Sequence, residues 1–178
     1  TQRRRAKVEG EKRAIESRYR ATFDHAGVGI AHTSLDGRFI SVNPRFCAML
    51  GYAADELLRR RTIDVTHPND VEPTQAVLRE AVADLAPGPS HDVEKRFVRK
   101  DGSLLWALVT IALVREDDGS PGYFVSMVRD ITLRKQQEQR LLEQLDELRR
   151  FQKVTVEREL RMIELEAEIR ALRGKAAA

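Results

Sequence analysis

The helix breakers of this chain are confined to its middle. All six prolines, and every glycine except Gly10 and Gly174, fall between Gly27 and Gly122, and residues 123–173 contain neither. Proline removes a backbone donor and glycine adds backbone entropy to the unfolded chain, so both interrupt helices and populate turns. Turn chemistry therefore belongs to the middle segment alone. The first twenty-odd residues carry a sparse apolar stripe, Val8, Ile15, Tyr19 and Phe23, and read as a weak helix. The expected organisation is a flanking helix over residues 1–22, a domain over 23–132, a long helix over 133–174 and a frayed tail over 175–178.

Charge supports that division. Of the 178 residues 33% are charged, above the ~25% of a compact domain, so part of the chain is solvated helix. The net charge of +3 divides into +5 over residues 1–20, −4 over 21–132 and +2 over 133–178. The basic arm Arg3-Arg4-Arg5 reads as a solvated helix start rather than a phosphate-binding element, and no nucleic-acid partner is expected. No apolar run approaches the ~18 residues of a membrane span, and no signal-peptide pattern opens the sequence. The single cysteine, Cys47, excludes an intrachain disulfide and a multi-thiolate zinc site. A reducing, cytoplasmic setting is the expectation.

The middle segment reads as strands and short helices. Residues 28–33 and 38–42 alternate across Asp36-Gly37, a strong hairpin signal. Asn43-Pro44 offers an N-cap and a first helical position for a short helix through Phe46, Met49 and Leu50, ending at Gly51. A second helix is expected over Asp55–Arg60. A third, capped by Pro68-Asn69-Asp70, carries Val71, Gln75, Leu78, Val82 and Leu85 and stops at Pro87-Gly88-Pro89. Three strands follow, over 93–99, 103–114 and 123–128, joined at Asp101-Gly102 and Asp117-Asp118-Gly119. The strand from Ser103 is apolar on both of its faces, so one face packs on the domain's helices and the other needs a separate cover. The order β-β-α-α-α-β-β-β is that of an α+β domain built on a five-stranded antiparallel sheet.

Seven motifs in order and register now resemble a known family. They are Gly29-Ile30-Ala31, Asp36-Gly37-Arg38-Phe39, Val42-Asn43-Pro44, Leu50-Gly51-Tyr52, His67-Pro68-Asn69-Asp70, Arg99-Lys100-Asp101-Gly102-Ser103 and Val128-Arg129-Asp130-Ile131-Thr132. Together, over about residues 17–135, they resemble a bacterial PAS domain. The resemblance implies a PAS fold with helices cupping one face of the sheet, and a sensory rather than catalytic role. It also implies a ligand pocket between sheet and helices, with Ile30, His32, Phe46, Met49, Leu50, Trp106 and Met127 as candidate lining. The sequence departs from the family where Ala53-Ala54 replace the usual Ser or Thr cap. Losing that cap costs ~1 kcal/mol, so the following helix is expected to be mobile or rescued by Asp55.

The cofactor is left open. Haem is argued against because residues 71–85 hold no histidine, and cysteinyl-flavin photosensing because Cys47 lies in Arg45-Phe46-Cys47-Ala48-Met49 rather than in an Asn-Cys-Arg-Phe-like motif. Cys47 reads as an inert buried thiol. His25 reads as a surface or cap residue, His32 as a neutral side chain bonded to backbone, His67 as a cap and His91 as exposed. No histidine pair has metal-ligand spacing, and no metal or catalytic site is expected. No Gly-x-Ser-x-Gly, Walker loop or Gly-x-Gly-x-x-Gly is present, and no histidine follows residue 91 to accept phosphate.

The C-terminal helix, with Thr132 as its expected N-cap, spans roughly 60 Å at 1.5 Å per residue and needs a partner for its apolar stripe. One heptad register places Leu141, Leu148, Thr155, Met162 and Ile169 at a, with Gln144, Phe151, Arg158, Leu165 and Leu172 at d. That pattern points to a parallel homodimeric coiled coil. A second stripe, Leu142, Leu145, Val156, Leu160 and Ile163, allows a bend near Val154 or an alternative register. The expected role is a regulatory module that relays a ligand- or partner-induced change through Asp130, Ile131 and Thr132 to an output domain. A ligand-free dimerisation scaffold is the alternative.

Overall fold

The computed structural model describes the backbone of residues 2–84 and 90–176 and the side chains of 8–84 and 90–173. Chain contacts divide the molecule into two units, Thr1–Thr132 and Leu133–Ala178. The elements run α1 (Gln2–Asp24), β1 (Gly29–Ser34), β2 (Phe39–Val42), α2 (Pro44–Leu50), α3 (Ala54–Leu58), a 3₁₀ turn (Thr62–Val65), α4 (Pro68–Ala83), β3 (Ser90–Val98), β4 (Leu104–Arg115), β5 (Pro121–Asp130) and α5 (Thr132–Ala176). The strands form one antiparallel sheet in the order β2-β1-β5-β4-β3. The 3₁₀ turn is an addition to the sequence-based order. Leu85 and the expected stop at Pro87-Gly88-Pro89 lie outside the described residues, as do Ala177 and Ala178.

Alternation sorts the sheet into two faces. Ala31, Phe97, Leu105, Ala107, Val109, Ile111, Phe124 and Val128 are buried on the face that α2, α3 and α4 cover, where they meet Phe46, Leu50, Leu57 and Val65. Complete burial of side chains such as Phe46 or Leu105 stabilises by about 1.5–3 kcal/mol each. Gly29 is required by this packing. A Cβ there would lie 3.1 Å from a ring carbon of Phe46 and 3.2 Å from the Met49 sulfur.

Local capping explains the short helices. Asn43 Oδ1 accepts from Phe46 N at 2.9 Å as the N-cap of α2, Pro44 occupies N1, and Gly51 ends the helix with φ +77. Asn43, fully buried, also joins three other segments. Its Oδ1 accepts from Ile30 N at 2.8 Å, and its Nδ2 donates to Phe23 O and Val28 O, each at 3.0 Å. The uncapped Ala53-Ala54 start of α3 is rescued by Glu56, not Asp55. Ala53 N donates to Glu56 Oε2 at 2.9 Å, and Glu56 is held by Lys100 Nζ at 2.7 Å. Glu reaches back from N3, where Asp55 at N2 does not.

One further expectation is corrected at an element end. Thr132 is the first residue of α5 rather than its cap, because Asp130 Oδ1 accepts from Thr132 N at 2.8 Å. α5 continues without a break through Thr155, whose hydroxyl back-bonds to Phe151 O at 2.9 Å, and through Gly174 to Ala176. Among the described residues no helix is long and apolar enough to cross a membrane.

Replacing Asn43 with Ala takes the partner from two amide donors and two carbonyls, one of them, Phe46 N, buried and the others part-buried. Asn43→Ala is expected to lose about 3 kcal/mol of unfolding free energy with little change in m-value, as measured by urea denaturation. A loss below about 1 kcal/mol would show that the four bonds are not what joins these segments.

Candidate functional site

A cavity of about 30 Å³ lies between the sheet and the helices, lined by Thr33, Phe46, Thr62, Thr74, Leu78, Lys95, Phe97, Val109, Ile111 and Ser126 among others. Of the residues expected to line a pocket there, Phe46, Met49 and Leu50 lie on the helix-covered side, and Phe46 reaches the cavity wall. Ile30, His32, Trp106 and Met127 lie on the opposite face of the sheet. They are the alternate positions to the buried Ala31, Leu105, Ala107 and Val128, and Met127 is 49% exposed. A strand's period of two fixes which residues share a face but not which face is covered.

Among the described residues that line the cavity Lys95 is the one that carries a charge, and it is absent from the lining expected from the sequence. It lies on β3 between Val93 and Phe97, in register with Ala107, and is only 4% exposed. Its alternation with two apolar core residues was the available signal. Nζ donates to Thr66 Oγ1 at 3.2 Å and sits 4.5 Å from the Phe97 ring centroid. Thr66 in turn donates to Thr62 O at 2.8 Å, leaving its oxygen lone pair for the lysine. Burial pushes the Lys95 pKa down to about 8, partly opposed by the field of Asp70.

Asp70 fixes α4 against β3 beside this lysine. Its carboxylate takes Arg96 Nη2 at 2.7 Å, Arg96 Nε at 2.9 Å and Arg96 N at 2.8 Å. These bonds hold the Asp70 pKa below the usual carboxylate range. The Arg96 guanidinium also lies over the Trp106 ring, 5.2 Å from its centroid, on the sheet's other face. His67 caps α4 by accepting from Asn69 N at 3.3 Å.

On that other face His32 is half-buried among aromatic rings. It lies 5.5 Å from Phe23 and 5.6 Å from Tyr123, centroid to centroid, and Tyr19 stacks beyond Phe23. Its Nδ1 meets Ser41 Oγ at 2.8 Å, so its partner is a neighbouring side chain rather than backbone, because Ser41 is its cross-strand partner. Burial lowers the His32 pKa. His91, expected to be exposed, is half-buried on the face it shares with Val93, and its Nε2 has no partner among the described residues. Cys47 is half-buried, and burial raises its thiol pKa. Among the described residues no group of three or more His, Cys, Asp or Glu is placed to hold a metal ion.

The end of the sheet runs directly into α5. Ile131 is buried and its N–H donates to Trp106 O at 2.9 Å, while Trp106 N donates to Thr132 Oγ1 at 3.1 Å. Asp130, Ile131 and Thr132 thus join β5 and β4 to the first residue of α5.

With this geometry in view, comparison with known proteins gives the class. A family model described as "PAS domain" matches residues 26–133. The chain belongs to the PAS domain family. It is 28% identical over 124 residues to the Escherichia coli (strain K12) protein named "Probable diguanylate cyclase DgcE", covering 70% of this chain and 11% of that protein. It is 30% identical over 135 residues to the sensor histidine kinase TmoS of Ectopseudomonas mendocina, covering 76% of this chain and 14% of that protein. The solved PAS domain of an HTR-like protein from Haloarcula marismortui superposes with a TM-score of 0.58 at 28% identity, covering 74% of this chain and all of the other. The chain therefore spans only a small part of the curated relatives it matches, and carries a PAS sensory domain of the kind found in signal-transduction proteins.

The buried lysine yields a signed pH dependence. Its pKa is about 8 in the folded chain against 10.5 when solvated, so between these values the unfolded state binds more protons. Stability then rises with pH from about 8 to about 10.5. At pH 7, Lys95→Met is expected to raise the unfolding free energy by about 1 kcal/mol or more, because an apolar side chain of similar length replaces a buried charge. The advantage should shrink as pH rises toward 10, followed by thermal melts of both proteins.

Proposed function

We propose that this chain is a sensory PAS module that pairs through α5 as a parallel homodimer and relays a ligand- or partner-induced change to an output domain in bacterial signal transduction. The observation that carries the reading is the unpartnered apolar register of α5. Leu141, Leu148, Phe151, Met162, Leu165, Ile169 and Leu172 recur at a and d and are all exposed, Phe151 at 69%. A helix of 45 residues with that seam in water needs a second helix to hide it. Asp146–Arg150 and Arg161–Glu164 pairs on the helix surface add a few tenths of a kcal/mol each and cannot substitute for it.

The relay follows from bonding at the sheet's end. Ligand or partner binding on the domain moves β4 and β5, and the Trp106–Ile131 and Trp106–Thr132 bonds carry the movement to the first turn of α5. Gln144 and Arg158 at d, with Thr155 at a, keep the coil's alternatives within a few kcal/mol of one another. The module works in the cytoplasm, beside or fused to its output, as in two-component systems. The small cavity, about 30 Å³, favours a second reading: a ligand-free scaffold that uses the PAS domain for assembly alone.

Two experiments test pairing and relay separately. At micromolar concentration the chain should sediment as a dimer, and Leu148→Lys with Phe151→Lys should return it to the mass of one molecule, since two seam positions become charged. A wild-type chain that sediments as a monomer removes the coiled-coil reading. In a chain carrying its output domain, Gln144→Leu with Arg158→Leu should freeze output at one level and abolish its response to stimulus. An unchanged response would refute the relay.

A further inference from the structure

The seating of α1 on the sheet rests on few groups. Between Val8 and Asp24, Phe23 is the one residue withdrawn from solvent, and only in part. Its backbone is pinned, since Phe23 O accepts from Asn43 Nδ2 at 3.0 Å. Among the described residues no hydrogen bond or ion pair joins residues 8–22 to the rest of the domain. Rings orient the helix instead. Tyr19 and Phe23, one turn apart, stack at 5.7 Å between centroids. Both meet the His32 imidazole of β1, Phe23 at 5.5 Å and Tyr19 at 6.5 Å, and Tyr123 of β5 adds a further ring at 5.6 Å.

This seat offers no partner to a positive charge. His32 Nδ1 meets Ser41 Oγ at 2.8 Å, a bond that a neutral ring makes in either tautomer. Among the described residues Nε2 makes no hydrogen bond and no carboxylate pairs with the ring. An imidazolium there has two donors, one acceptor and no counter-ion, and burial accordingly holds the His32 pKa below its ordinary 6.5. The titratable groups that face it are Tyr19 of α1 and Tyr123 of β5. β2 offers Ser41, and α2 packs on β1 from the other face of the sheet. Phenols keep their protons between pH 5 and 8, and burial raises the Tyr19 pKa further. Histidine is therefore the group of this seat that titrates in that window.

We propose that His32 is a pH-sensitive seat for α1: the neutral ring holds the Tyr19–Phe23 face on the sheet, and protonation releases that face while the Asn43 bond keeps the helix hinged at Phe23. A solvated histidine takes a proton more readily than a seated one, so the released state binds more protons as pH falls below 6.5. Docking weakens in that range and is at full strength above it, where both states are neutral. By the same linkage, whatever lifts α1 raises the proton affinity of His32. Ring contacts alone oppose release, so a shift of a few-fold in the equilibrium is enough to move the helix. The device gives the sensory domain an input at its N-terminal end that needs no ligand and does not rest on pairing through α5.

The test combines imidazole NMR titration with amide hydrogen exchange on the full chain between pH 5 and pH 8. After correction for intrinsic rates, the amides of residues 17–24 should exchange several-fold faster at pH 5 than at pH 8, with a midpoint at the His32 titration. His32→Phe keeps a ring and titrates nothing, and should flatten that profile. Tyr19→Ala removes part of the seat, and should move the His32 titration up toward that of a solvated histidine. The coincidence of midpoints is read in the wild type alone, so it holds even if a variant folds poorly. Exchange that stays flat through the His32 titration overturns the proposal. Exchange that slows in acid also overturns it, because the ring faces would then be stabilising the cation. A profile that survives in His32→Phe overturns it as well and assigns the effect to another group.

Discussion

Asn43 is the point on which the domain's first half depends. A single buried side-chain amide accepts from Ile30 N and Phe46 N and donates to Phe23 O and Val28 O. In one residue it ends β2's run, starts α2, pins the first residues of β1 and ties down the last turn of α1. Phe46 N would otherwise be buried without a partner and the other three groups part-buried without one, and a stranded group costs more than a hydrogen bond contributes on average. The close passage of Gly29 against Phe46 and Met49 is a consequence, because the amide draws α2 down onto β1.

The sheet then presents two unlike faces. Its helix-covered face is filled by branched and aromatic side chains except where Lys95, Thr33 and Ser126 bring polar atoms into a small cavity. The other carries His32, Tyr123, Trp106, Leu108 and Met127, with Tyr19 and Phe23 of α1 over its β1 side. Trp106 touches both systems. Its ring lies under Arg96, which is bound to Asp70, and its backbone bonds Ile131 and Thr132. A displacement of α4 at Asp70 therefore has a short covalent and hydrogen-bonded route to the start of α5. That route is a placement of groups, and coupling along it requires an element with two arrangements. α5 has the composition for one, with an apolar seam diluted by Gln144, Thr155 and Arg158 and a second apolar stripe alongside.

Element order, hairpins and caps were legible in the chain because they are local. Asp36-Gly37, Asn43-Pro44, Gly51 and Asp101-Gly102 each act within four residues, through φ preference or a side chain reaching adjacent backbone. The long α5 was equally legible, since an absence of breakers is a property of the sequence itself. The site was harder. Phe46, Met49 and Leu50 lie on the helix-covered side, as a helix with one apolar face shows which side it buries. Ile30, His32, Trp106 and Met127 were placed on the wrong side of the sheet, because β1 hides small residues inward and keeps Ile30 outward, and β4 is apolar on both faces. Lys95 passed unnoticed because a lysine in an edge strand ordinarily points to water.

What the sequence determined by itself is the set of local conformations and the pairing parity of each strand. Those follow from steric and hydrogen-bonding preferences that reach only a few residues. Which face of the sheet receives the helices, and therefore whether an alternating lysine meets water or a closed cavity, was decided only in three dimensions. The reason is physical: parity is symmetric under exchange of the two faces, and only the packing of α2 on β1, α3 on β2 and α4 on β3 and β4 breaks that symmetry.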